Sequence, residues 1–128
     1  MSENTETIRS GYEAFARGDV PAVLEVFAED IVWDTPESLP NGGVHRGHDG
    51  VGAFFATLPQ TWGEFSVEPE EYLDSGDRVI VRGHHRGKGH NGVEFAASFA
   101  HFWTLRDGKA TSFYEVLDSA AMTPALSN

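Results

Sequence analysis

Near the N-terminus, apolar residues recur at helical spacing, with Ile8, Tyr12 and Phe15 on one stripe, and the pattern is cut at "ARGD". Gly18 there reads as a helix stop and Asp19 as the cap of a second helix, with Pro21 in its first turn. The second helix carries Val23, Leu24, Val26 and Phe27 and gives way at "AED" to a short strand over 31–34. A loop rich in Pro and Gly follows. In "HDGVGAFFATL", Asp49 is placed to cap a third helix bearing Val51, Phe54, Phe55 and Leu58.

From Trp62 the period changes. Phe65 and Val67, then 78–87, 93–106 and 110–118, read as strands joined by turns. "RDGK" is the strongest hairpin signal, because Asp-Gly tolerates the positive φ of a tight turn. The acidic run "EPEEYLDSGD" reads as a solvated edge, and residues 119–128 as a loose tail. Helices followed by antiparallel strands predict a single α+β domain over 1–128, with helices covering one face of a sheet.

Strand alternation sorts the faces. In "DRVIVRGHHRG", His85 shares the apolar face with Val79, Val81 and Gly83. In "EFAASFAHFWTL", Phe95, Ala97, Phe99, His101, Trp103 and Leu105 form the bulkier face, which is assigned to the interior. The last strand is read with Thr111, Phe113, Glu115 and Leu117 inward and Tyr114 and Val116 outward. Together these place His85, His101 and Glu115 among aromatic side chains, with Asp34 at the end of a neighbouring short strand. An apolar pocket with a few polar groups is how small-molecule sites are built.

Composition narrows the chemistry. The 128 residues are 40% hydrophobic with no cysteine, which suits one domain with a core and leaves out disulfides, thiolate nucleophiles and thiolate metal sites. A formal net charge of −11 argues against nucleic acid and anionic membranes as partners. No apolar run suits a membrane span and "MSENTETIRS" lacks a signal-peptide pattern, so the expected location is the cytoplasm. His45 and His48 in "HRGHDG" sit in a loop without further ligands and are read as solvated or capping groups, so no metal is expected.

"YEAFARGDVPAVLEVFAEDIVWDTP", "HRGHDGVGAFF" and "AHFWTLRDGKATSFYEVLD", in that order and spacing, resemble the nuclear-transport-factor-2-like superfamily. Within it they are similar to the SnoaL-like polyketide cyclase and ketosteroid isomerase branches. The resemblance implies a cone of three N-terminal helices on a strongly curved, mostly antiparallel sheet, dimeric through the outer sheet face. It also implies cofactor-independent acid–base chemistry, isomerisation or aldol-type cyclisation, on a hydrophobic carbonyl compound. Asp34 in "VWDTP" falls where ketosteroid isomerases carry their proton-shuttling base. The strand position of their oxyanion partner is His101, and their tyrosine position falls on Gly11, one residue from Tyr12, so that oxyanion pair is not reproduced. SnoaL-like cyclases, which work with Asp and His groups in the cavity, look closer.

Each candidate keeps two readings. Asp34 is a general base or a loop cap in "DTP". His101 is the acid or oxyanion donor, or a core histidine bonded to a carbonyl. His85 and Glu115 are a functional pair or a structural buried bond. Tyr12, Phe15, Trp33, Phe55, Phe99, Trp103 and Phe113 are ligand-lining aromatics or plain core. At the level of the whole chain, the alternative to an enzyme is a non-catalytic ligand-binding or dimerisation module on the same fold.

Overall fold

The structure, a computed structural model, describes residues 2–127. Three helices, α1 (Glu3–Ala16), α2 (Val20–Glu25) and α3 (Gly47–Thr61), cover a curved six-stranded sheet. Its strands are β1 (Phe27–Thr35), β2 (Gly43–Arg46), β3 (Glu64–Ser75), β4 (Arg78–Lys88), β5 (Glu94–Arg106) and β6 (Lys109–Leu117). They lie in the order β2-β1-β6-β5-β4-β3, with every neighbour antiparallel except β1 beside β6. The α+β architecture expected from the pattern is the one observed.

Local chemistry accounts for the helix ends. The Ser2 side chain accepts from the Thr5 amide at the start of α1, and the Asp19 carboxylate accepts from the Ala22 amide at the start of α2, as the sequence predicts for Asp19. At α3 the expectation fails: Asp49 lies inside the first turn and Arg46 occupies the cap without a side-chain bond. The cause is β2, which the Pro/Gly-rich stretch does not announce and which runs straight into the helix. Asp49 still places negative charge at the positive end of the helix dipole.

Strand pairing also shortens α2. Phe27, expected in the helix, opens β1, because it pairs with Ala110 and the Ala110 amide donates to the Val26 carbonyl at 2.9 Å. Between β5 and β6, Asp107 (φ 52°) and Gly108 (φ 76°) make the hairpin turn that "RDGK" predicts. The acidic run lies in β3, an edge strand whose Pro69 and charges discourage pairing with another chain.

The main core lies between the helices and the inner face of the sheet, around Ile8, Ile31, Val51, Val79, Val81 and Phe113. A second cluster closes one end: Trp62, Phe95 and Ala97 pack on Met122 and Ala125. The segment read as a loose tail therefore forms two short 3-10 turns, over 119–121 and 123–126, and buries Met122 almost completely. Gly83 is required for close approach, since a Cβ there would meet the Glu68 carbonyl oxygen at 2.1 Å and the Phe99 ring at 2.9 Å. Among the described residues, no helix is long and apolar enough to cross a membrane.

Candidate functional site

Alternation along β4, β5 and β6 turns His85, His101 and Glu115 inward, as the sequence predicts, and all three are buried. His101 and Glu115 are register partners, and Glu115 reaches on to β4. Its Oε2 lies 2.7 Å from His101 Nε2 and 2.7 Å from His85 Nε2. On the other side of His101, Nδ1 is 2.7 Å from the Tyr12 hydroxyl, which accepts from the Trp103 indole N–H at 3.0 Å. One relay thus runs from Trp103 through Tyr12, His101 and Glu115 to His85.

The electrostatics fix its proton positions. Burial would raise the Glu115 carboxyl, but hydrogen bonds from both imidazoles outweigh it and hold the group down at about 2. Burial lowers His101 to about 4 against the pull of Glu115, so at neutral pH this ring is neutral. Burial likewise pushes the Tyr12 phenol well above its ordinary value, leaving it an O–H donor. An ionised carboxylate only accepts, so each imidazole donates to it through Nε2–H. His101 Nδ1 then accepts from Tyr12. In the neutral form of His85, Nδ1 carries a bare lone pair, and this atom is buried without a partner.

These groups form part of the wall of a cavity between helices and sheet. The centre of a water-sized sphere can move through about 100 Å³ of it. One ordered water needs about 10–15 Å³ on that scale, so a ring-sized organic molecule is the natural occupant. The wall is mostly apolar and aromatic, including Tyr12, Phe15, Trp33, Phe55, Trp103 and Phe113 as expected. Phe99 is not part of it: its ring stacks on His101 at 3.8 Å and swings over Gly83, acting as packing behind the relay.

Asp34 is the main correction. On β1, Ile31, Trp33 and Thr35 point inward, so Asp34 points to the other face, in register with Val44 and Tyr114, both exposed. The alternation from Ile31 onward sets this orientation, and a carboxylate on the outer face does not reach a ligand in the cavity. The Asp34 carboxylate is a half-buried side chain on the water side of the sheet. His101 also differs from its expected part as a free oxyanion donor, because both its ring nitrogens are engaged. Tyr12, one residue off the aligned tyrosine position, nevertheless brings its hydroxyl to His101.

Sequence reasoning missed several lining residues, among them Thr35, Leu39, Pro40 and Met122. Thr35 was recoverable from the period of two once Trp33 is placed inward; the others come from a loop and a terminal segment without periodicity. His45 and His48 bond backbone carbonyls, Asn41 at 2.7 Å and Phe27 at 2.9 Å, which is a structural use. The ligating atoms of His85, His101 and Glu115 lie within 4.8 Å of one another, so this trio has the donor set for a divalent cation.

A model of the SnoaL-like domain matches residues 8–113. The chain belongs to the SnoaL-like family. Solved structures agree with that placement. An NTF2-like protein of unknown function from Burkholderia pseudomallei is 36% identical over 100% of both chains, with a TM-score of 0.94. TerC, co-crystallised with polyporic acid, is 33% identical over 98% of both chains, with a TM-score of 0.92. A protein assigned as a SnoaL-like polyketide cyclase, from Jannaschia sp., shares the fold at 19% identity, covering 97% of this chain and 91% of its own, with a TM-score of 0.83. No curated protein matches the chain. The SnoaL-like domain here carries a histidine relay where the sequence pointed first to an aspartate.

Proposed function

We propose that this SnoaL-like chain is an acid–base enzyme that moves a proton on a hydrophobic carbonyl compound held in the cavity. The observation that carries the reading is His85 Nδ1: a buried nitrogen without a partner, on a ring whose other nitrogen is hydrogen-bonded to a carboxylate held ionised. When Nδ1 takes a proton from a carbon activated by the carbonyl, the C–H bond breaks, an N–H bond forms and the electron pair moves onto the carbonyl oxygen. The resulting imidazolium faces Glu115, so the positive charge is created beside a negative one already in place. His101 and Tyr12 are positioning residues: their bonds fix Glu115, and Glu115 fixes the ring of His85. Returning the proton to a different carbon isomerises the compound, and attack of the enolate on a second carbonyl closes a ring.

The co-crystallisation of the related TerC with polyporic acid supports a small organic ligand in this fold. The other reading, a ligand-binding module without chemistry, predicts the same cavity and no proton transfer. Deuterium uptake from heavy water into octalone, a bicyclic enone, followed by NMR, separates them. Wild type is expected to catalyse uptake, His85→Gln to lose about 10²-fold or more, and Asp34→Asn to match wild type. No uptake in wild type, or equal uptake in His85→Gln, removes the proposal; a large loss in Asp34→Asn returns the aspartate to the mechanism.

A homodimer is part of the proposal. The outer face of the sheet carries Val44, Tyr114 and Val116, each about half exposed, next to Phe102, which lies against Tyr114. Such a patch is covered most simply by a second copy. Light scattering at micromolar concentration is expected to give twice the mass of the chain, and a monomer mass contradicts it.

A further inference from the structure

The proton transfer leaves a negative charge on a carbonyl oxygen, and the relay has no free donor to meet it, because both nitrogens of His101 are engaged. Trp33 and Thr35 also line the cavity, and the polar atom of each, Trp33 Nε1 and Thr35 Oγ1, is buried and unpartnered. Both belong to β1, two positions apart on its inward face, and each residue is only 7% exposed. A buried N–H or O–H without a partner weakens the folded state, and nothing in the ligand-free protein is gained from either polar atom. The indole N–H can only donate and the threonine hydroxyl can donate, so what completes both is an acceptor oxygen. The position fits. Asp34 pairs with Tyr114, so Thr35, the next residue, stands on the strand beside Glu115.

We propose that Trp33 Nε1–H and Thr35 Oγ–H form an oxygen subsite that holds the carbonyl of the ligand while its acidic C–H faces His85. The proton end rests on the acid–base reading; the oxygen end does not. Geometry narrows the substrate class. Strands β6 and β5 lie between β1 and β4, three spacings of about 4.8 Å each along the sheet, which its curvature and the inward side chains shorten, so the oxygen and the carbon that loses its proton do not belong to neighbouring atoms. Charge released at that distance reaches the oxygen only through conjugation. The substrate is an extended conjugated ketone, deprotonated at a carbon conjugated with the carbonyl and not adjacent to it. The C–H electron pair spreads through the C=C bond to give a dienolate, the proton goes to His85 Nδ1, and the two β1 donors hydrogen-bond the oxyanion. The flat aromatic wall formed by Trp33 stacked on Phe113 at 3.8 Å suits such a molecule.

The test is binding of octalone and of octalin, the matched hydrocarbon, by tryptophan fluorescence titration of wild type, Thr35→Val and Trp33→Phe, with the melting temperature of each. Wild type is expected to prefer octalone, and each variant to lose roughly tenfold in octalone affinity, the scale of one hydrogen bond to a ligand. Thr35→Val keeps the shape of the side chain, so it is expected to bind octalin as wild type does and to melt no lower. If Trp33→Phe unfolds by leaving space beside Phe113, Thr35→Val decides alone. Octalone binding no tighter than octalin in wild type, or unchanged octalone affinity in Thr35→Val, overturns the subsite. Selective octalone binding without deuterium uptake upholds the subsite and removes the acid–base reading; uptake without octalone preference does the reverse.

Discussion

Glu115→Ala is expected to destabilise the protein by about 3–5 kcal/mol, the usual cost of removing one partner from a buried charged network. Two buried imidazole N–H groups then lose their shared acceptor, and the space left by the side chain adds to the loss. Glu115→Gln separates charge from shape. It fills the same space and can still accept a hydrogen bond, so more of the stability is retained. Without the negative charge, however, nothing balances an imidazolium at His85, and deuterium uptake is expected to fall by about 10²-fold or more. Urea unfolding and exchange rates measured on both variants check this. An Ala variant within about 1 kcal/mol of wild type would mean that Glu115 is not coupled to the two histidines.

Acid is expected to unfold the protein from an unusually high pH. His101 binds a proton near 6.5 when unfolded and at about 4 when folded. Between those values the unfolded chain holds more protons, so stability rises with pH: the contribution is complete above about pH 6.5 and is lost as pH falls through 4. That difference amounts to about 3 kcal/mol for a single group. Glu115, lowered from 4.5 to about 2, extends the loss with the same sign, its contribution being present above 4.5 and lost as pH falls towards 2. Urea midpoints across pH 7.5 to 4 are expected to begin falling near pH 6.5, above the range where ordinary carboxylates titrate. A flat profile down to pH 5 would contradict a neutral buried His101.

The inner face of the long strands was legible in the sequence because a period of two leaves His85, His101 and Glu115 only two places to go, and their apolar neighbours choose the face. The hairpin at Asp107 and Gly108 was legible because few dipeptides accept two successive positive φ angles. The same period would have placed Asp34, since Ile31 and Trp33 alternate with Val32 and Asp34. Its position relative to a resemblance was weighed above that alternation. The strand β2 and the buried Met122 have no periodic signature: four residues cannot show a period, and the C-terminal segment is ordered by what Trp62 and Phe95 leave uncovered. The partnerless atoms of His85, Trp33 and Thr35 are invisible in any sequence, since a missing hydrogen bond is a property of three-dimensional surroundings.

The proposed proton transfer turns on one atom, Nδ1 of His85, as the place where a proton is received. Its protonation can be read by nitrogen-15 NMR of histidine-labelled protein, with His85 assigned through His85→Gln. In the neutral form of the ring, the expected result is a proton on Nε2, directed at Glu115, and an Nδ1 signal in the range of an unprotonated nitrogen. An Nδ1–H tautomer at His85 would leave no lone pair where the proton must go, and would contradict the mechanism.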